Sequence, residues 1–104
     1  MSTVSSPPPT PKLHLLVQHN LSWSQKVVQA AHATDAWRSQ FAPVAATTLP
    51  IVVYRVAAAD LPHWQARLAA RGAVAFREPD LDDEITAIAY CGNPLPEFRD
   101  LQLL

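Results

Sequence analysis

The sequence predicts an α/β domain with three α/β/α layers around a four-stranded mixed sheet, in the element order β-α-β-α-β-β. Two observations predict this fold class. Short apolar and β-branched runs alternate with two helical segments, a pattern typical of strands joined by helices in a mostly parallel sheet. The link between the last two runs is short, which favours an antiparallel pair there. Both glycines, Gly72 and Gly92, fall at the ends of predicted elements.

The first strand and the first helix follow a Pro-rich leader. "KLHLLVQ", residues 12–18, is almost continuously apolar, which predicts a central strand buried on both faces. His14 within it is predicted to be a hydrogen-bonded core histidine. Ser22 or Ser24 can cap the helix that follows, and this helix is predicted to run to about residue 40, before Pro43.

The second strand and the second helix are clearly delimited. "IVVYRVA", residues 51–57, is β-branched and aromatic and predicts a strand. Asp60 is a suitable N-cap for the next helix, and Gly72 lies where a helix C-terminus favours glycine. The helix carries one apolar stripe, formed by Leu61, Trp64 and Leu68.

The last part of the chain predicts a hairpin and a tail. Residues 73–78, "AVAFRE", form the third strand, and residues 85–91, "ITAIAYC", form the fourth. The acidic turn "PDLDDE" joins them. The tail "PLPEFRDLQLL" is predicted to pack on the sheet as a short helical or extended piece.

Composition limits the classes of function. The 104 residues predict one folded domain at 12–104 behind a disordered Ser/Pro/Thr-rich leader at 1–11. No segment has the apolar core of a signal peptide or about 18 apolar residues for a membrane span, so we expect a cytoplasmic protein without membrane association. A lone cysteine, Cys91, argues against disulfides and cysteine metal clusters, and no cofactor motif is present, so we expect no cofactor. The net charge of −1 gives no support to a large nucleic-acid surface.

The first helix carries an unusual neutral stripe. Helical spacing places Gln25, Gln29 and His32 on one side, with Lys26 turned about 100° away from Gln25. The opposite half is predicted to face the sheet through Val27, Val28, Ala30, Ala31 and Trp37. The stripe is either a solvated face or a site at the helix start, where free N–H groups favour an anion or a carbonyl oxygen.

Two segments resemble a known family. "QKVVQAAHA" is similar to the "AAQCSHA"-type helix signature of type II peptidyl-tRNA hydrolases, the archaeal and eukaryotic kind with bacterial relatives, and shares Gln29, His32 and Ala33 with it. "FREPDLDDEITAIAY" lies where that family has an aspartate-bearing link into a last strand that begins with threonine. The resemblance covers roughly residues 12–92 and extends to the element order.

The resemblance implies an activity and a set of site residues. It implies cofactor-independent hydrolysis of the ester between peptide and tRNA, with peptidyl-tRNA as the partner, and it allows a homodimer. The catalytic residues that it implies are Lys26, His32, Asp80 and Thr86. Gln25 and Gln29 would line the substrate pocket, and His19, at the end of the first strand, is a further candidate for it.

Two departures from the family keep a second hypothesis open. The family has its lysine seven residues before the histidine, where this chain has Gln25, and its "DAG" turn is absent after Asp80. These changes favour a non-hydrolytic domain of the same fold that binds a partner protein or a nucleotide-like ligand. Under either hypothesis, we expect the site where the start of the first helix meets the turn before strand four.

Overall fold

The computed structural model describes residues 11–41 and 49–104. They form a mixed α/β domain whose helices and strands follow one another as β1 (Lys12–Gln18), α1 (Trp23–Phe41), β2 (Ile51–Val56), α2 (Leu61–Ala69), β3 (Val74–Glu78), β4 (Glu84–Gly92) and β5 (Gln102–Leu103). Short 3-10 turns occupy Ala58–Asp60, Pro79–Leu81 and Pro96–Asp100. Ten residues of the predicted leader, and the predicted helix stop at Pro43, lie outside the described residues.

The sheet has five strands in the order β3-β4-β1-β2-β5, so the prediction of four strands is wrong. The tail adds β5, whose Gln102 pairs with Arg55 and whose Leu103 pairs with Tyr54. Two residues are too few to give a periodic signal, which is why the sequence predicted only a short helical or extended tail rather than a fifth strand. In the described chain only β1 and β2 are parallel, and the other three neighbouring pairs are antiparallel.

Strand β1 lies at the centre of the sheet, between β4 and β2. Six of its seven residues are buried, as its continuous apolarity predicted. Because β4 runs antiparallel to it, the end of β1 lies beside the start of β4. We call this end of the sheet, marked by Gln18, Val56, Glu78 and Glu84, the upper end.

The two faces of the sheet hold separate apolar clusters. Helix α1 covers the first, which contains Leu13, Leu15, Val17, Ala30, Ala33, Trp37, Val74, Ala87 and Ala89. Helix α2 and the turn Pro96–Asp100 cover the second, which contains Leu16, Tyr54, Val56, Leu61, Trp64, Leu68, Ile85, Ile88, Tyr90, Leu95 and Phe98. The predicted three layers are therefore matched only in part, because the second face has a nine-residue helix supplemented by a 3-10 turn.

The helix starts use different caps. The Gln25 N–H donates to Ser22 Oγ at 3.3 Å, so Ser22 rather than Ser24 caps α1. Asp60 occupies the N-cap position of α2, but its side chain makes no capping bond. Its backbone is already close to helical, with φ −90° and ψ −16°, because a 3-10 turn leads directly into α2. Neither described helix combines the length and apolarity needed to cross a membrane.

Candidate functional site

Helix α1 presents a different side to the sheet from the one predicted. Its buried residues are Gln29, Ala30, Ala33 and Trp37. Val27 and Val28 are 52 % and 48 % exposed, and Ala31 is exposed as well, so the prediction that these three face the sheet is wrong. Burial of the large Trp37 ring fixes the rotation of the helix, and Gln29 enters the interior because it finds polar partners there.

Gln29 joins three elements at the upper end of the sheet. Its side-chain carbonyl accepts a 2.6 Å hydrogen bond from the hydroxyl of Thr86 on β4. Its amide nitrogen donates to Glu78 Oε2 at the end of β3, at 2.9 Å. The other oxygen of Glu78 accepts the backbone N–H of Asp80 at 3.4 Å. Both ends of the Gln29 amide are thereby bonded, which stabilises a buried polar group inside an otherwise apolar face.

A β-bulge places Thr86 in this network. Phe76 pairs with Ala87 and Arg77 pairs with Ile85, so Thr86 is an extra residue on β4. In a regular strand, a residue between Ile85 and Ala87 would point away from both. Here Ile85 packs on the α2 side, while Thr86 reaches α1 and Ala87 packs there too. Bulges of this kind often re-aim a side chain beside a functional site.

A second polar pair, Gln18 and Glu84, lies at the upper end. The amide of Gln18, only 4 % exposed, donates to Glu84 Oε1 at 2.9 Å and to the Ile85 carbonyl at 3.4 Å. Glu84 and Glu78 are paired with each other at the end of the β3–β4 hairpin. The two carboxylates are held by neutral amides, and no salt bridge in the described residues reaches either of them.

The turn between these carboxylates is acidic and exposed. Asp80 lies in the 3-10 turn after Glu78. Asp82 and Asp83 both adopt left-handed backbone, with φ of 54° and 57°. Aspartate tolerates this conformation better than most residues, which explains why the turn needs no glycine such as that of the family's "DAG" sequence. The Arg77 side chain donates to the Asp83 carbonyl at 3.1 Å and fixes the turn.

Lys26 lies on the side of α1 that faces the sheet. It precedes Gln29 by three residues and is half-buried, whereas Gln25 is exposed. No described carboxylate lies within salt-bridge distance of the Lys26 ammonium. Lysine at this position is therefore directed more toward the sheet than Gln25 is, although Gln25 occupies the position of the family's lysine.

His32 lies one turn after Gln29 on α1. Its exposed ring stacks on Phe76 of β3, with the ring centroids 4.7 Å apart and the planes 17° from parallel. Phe76 lies two residues before Glu78 and so on the same face of β3. Within residues 11–41 and 49–104, no hydrogen bond joins the His32 ring to Asp80 or Lys26.

His19 lies at the upper end but away from this cluster. Its backbone N–H donates to the Val56 carbonyl at 2.7 Å, and it lines a cavity with Arg55 beside β2 and β5. The structure thus brings Gln29 and Thr86 together with Asp80 nearby, and it places His19 directly after β1, at the cavity beside β2 and β5.

Sequence reasoning missed Glu78, Glu84 and Gln18, the side chains that hold the upper end together. Glu78 had a detectable signal, since it ends a strand immediately before Pro79 and alternates with Phe76. Gln18 and Glu84 had none, because their pairing depends on how β1 lies beside β4.

The chain matches no known protein-family model and shows no significant similarity to curated proteins. In the part of the chain that the structure describes, no group of three or more His, Cys, Asp and Glu residues is arranged to hold a metal ion. The chemistry that these residues can supply is a carboxylate that accepts a proton and a lysine ammonium that stabilises a developing negative charge.

Proposed function

We propose that the chain hydrolyses the ester bond between a peptide and tRNA without a cofactor, as its resemblance to type II peptidyl-tRNA hydrolases implies. One observation carries the proposal. Gln29 and Thr86 belong to the two separate segments that resemble the family, and a buried 2.6 Å hydrogen bond joins them across 57 residues of sequence. The two segments therefore share one end of the sheet, as a common site requires.

In this proposal Asp80 and Lys26 carry the chemistry. Asp80 is exposed in the turn after Glu78, where it can accept a proton from an attacking water. Lys26, at the start of α1, would stabilise the oxyanion that forms at the ester carbonyl. The positive end of the α1 dipole adds a favourable field for the same charge.

Thr86 and His32 take supporting roles. Thr86 is 0 % exposed and its hydroxyl is donated to Gln29, so we assign it to positioning of the helix rather than to contact with the substrate. His32 is held by its stack on Phe76, and this leaves its ring N–H available to donate to a phosphate or ribose oxygen. Gln25 would line the exposed approach to the site.

The test is hydrolysis of an N-acetylated aminoacyl-tRNA by the wild type, by Asp80→Asn and by a matched control, Asp82→Asn. We expect Asp80→Asn to lower the rate by about 10²–10⁴-fold, the usual effect of losing a positioned acid–base group. The control removes one charge from the same turn, and asparagine tolerates the left-handed backbone of Asp82. Wild-type turnover in Asp80→Asn, or equal losses in both variants, would refute the assignment of Asp80.

A second candidate is a non-hydrolytic domain that binds a partner protein or a nucleotide-like ligand. It is favoured by the absence, in the described residues, of any hydrogen bond or ion pair that joins Lys26, His32 and Asp80. Under this candidate the wild type would bind uncharged tRNA or a nucleotide in a filter or calorimetric assay and would release no peptide. A wild type that cleaves the ester eliminates this candidate.

The hydrolase proposal also implies a cytoplasmic location, where peptidyl-tRNA occurs, and it allows a homodimer. Light scattering during gel filtration of the protein would measure the oligomeric state directly.

A further inference from the structure

A cavity of about 280 Å³ lies at the carboxyl ends of the parallel strands β1 and β2. Its polar lining comes from three segments of the chain and consists of His19, Arg55, Asp60, Asp100 and Gln102. In open α/β sheets, ligands gather beyond the carboxyl ends of parallel strands. The cavity shares no lining residue with the Gln29–Thr86 cluster and is not part of the site proposed above.

Arg55 gives the cavity a positioned cation. Its Nη2 donates to the side-chain oxygen of Gln102 at 2.6 Å, which holds the guanidinium against β5. Its Nε is buried and has no partner among the described residues. Its Nη1 also makes no hydrogen bond with the described residues, so the end of the guanidinium has hydrogen-bonding capacity left for a ligand.

Two carboxylates face the same cavity without partners of their own. Asp60 occupies the N-cap position of α2 but makes no capping bond. Asp100 ends the last 3-10 turn, and no described group forms a salt bridge or side-chain hydrogen bond with either carboxylate. Together with Arg55 in the same lining, they give one positive and two negative charges, a distribution that disfavours a plain anion such as phosphate.

Size and charge together indicate the ligand. Pockets for drug-sized molecules usually occupy about 300–1,000 Å³, so this cavity suits a smaller one. Ala57 and Leu101 supply apolar wall beside the charged groups. We propose that the cavity binds an α-amino acid with a small apolar side chain, its ammonium between Asp60 and Asp100 and its carboxylate at Arg55, with His19 closing the opening.

Three probes separate the two halves of this recognition: L-valine, L-valinamide, which lacks the carboxylate, and N-acetyl-L-valine, which lacks the ammonium. We expect L-valine to bind and each derivative to bind at least about tenfold more weakly, because each loses a charge-assisted hydrogen bond. Titration followed by amide NMR shifts should move signals of His19, residues 56–60 and residues 100–102.

Asp60→Asn and Arg55→Gln should each weaken L-valine binding about tenfold or more, whereas Asp35→Asn, on the exposed side of α1, should leave it unchanged. Asp60 is exposed and makes no side-chain bond, so its variant tests the site even if the Arg55 variant loosens β5. No shift at millimolar L-valine, shifts that map elsewhere, or equal binding of either derivative would overturn the proposal. None of these results depends on whether the chain hydrolyses peptidyl-tRNA.

Discussion

Replacement of Thr86 by valine should destabilise the domain far more than the loss of one hydroxyl from the surface would. Valine has nearly the shape of threonine, so packing is kept and only the 2.6 Å hydrogen bond to Gln29 is lost. Thr86 is 0 % exposed and Gln29 is 6 % exposed, so water cannot replace the missing donor. An unsatisfied buried polar group costs about 1–3 kcal/mol, and we expect Thr86→Val to lower the free energy of unfolding by that amount.

Urea unfolding monitored by circular dichroism measures this loss, and a thermal scan gives a second measure. For a domain of this size, each kcal/mol shifts Tm by about 4–8 °C. Thr34→Val is the matched control, because the Thr34 hydroxyl donates only to the Ala30 carbonyl within α1. That carbonyl keeps its backbone partner in the helix, so the control should lose less than about 1 kcal/mol.

The double variant Thr86→Val/Gln29→Leu distinguishes a lost bond from a general disturbance. With the apolar leucine in place of Gln29, no buried acceptor remains unpaired, and Glu78 is half-buried and can be hydrated instead. We therefore expect the double variant to lose at least about 1 kcal/mol less than the sum of the two single losses. Losses that add within about 0.5 kcal/mol would show that Gln29 and Thr86 are independent and would refute the reasoning.

Three further outcomes follow from the core. Burial lowers the pKa of His14 below its ordinary 6.5, so the unfolded chain takes up the proton first as pH falls. Stability should therefore fall as pH drops below about 6.5. Urea midpoints measured at several pH values should show this fall in the wild type, and His14→Phe should lose this part of the pH dependence. Gly92→Ala should destabilise by about 1–3 kcal/mol in urea unfolding, because a Cβ there would come within 2.6 Å of the Tyr90 hydroxyl; an unchanged midpoint would contradict the packing around it. Trp64→Ala should cost about 3–5 kcal/mol, whereas Trp23→Ala, at a position 65 % exposed, should change stability by less than about 0.5 kcal/mol in the same measurement.

The histidine prediction rests on a geometry that fixes the tautomer. Nε2 lies 3.1 Å from the Gly92 carbonyl, which can only accept, so Nε2 carries the hydrogen. Nδ1 then accepts from the Tyr54 hydroxyl at 3.1 Å. A second proton on the ring would prevent Nδ1 from accepting that bond. The ring also stacks on Tyr54 and Tyr90 and lies beside the tilted ring of Phe98, so the neutral form is favoured.

The placement of most helices and strands was predictable because it depends on neighbours in sequence. The continuous apolarity of β1 predicted a central strand, and its bounds match the structure. The stripe of Leu61, Trp64 and Leu68 predicted the buried side of α2, and all three are buried. Local periodicity is enough to predict such elements, because the spacing of apolar residues within each element determines which of its faces is buried.

The site depended on contacts that no local pattern contains. The rotation of α1 buries Gln29 and exposes Val27. It was decided by burial of Trp37 and by the hydrogen bonds that Gln29 makes with residues of β3 and β4. The bulge at Thr86 reverses the alternation expected along β4, and it can form only once β3 is paired beside it.

The sequence by itself determined the class of fold, the order of its elements and the central place of β1, because the period of apolar residues is a property of the chain. Only the tertiary structure decided the five-strand count, the inward turn of Gln29 and the separate cavity around Arg55. Each of these is a pairing between residues far apart in sequence. Such pairings depend on whether buried polar groups are hydrogen-bonded and whether large rings are packed without clashes. Both conditions are decided only when the elements come together.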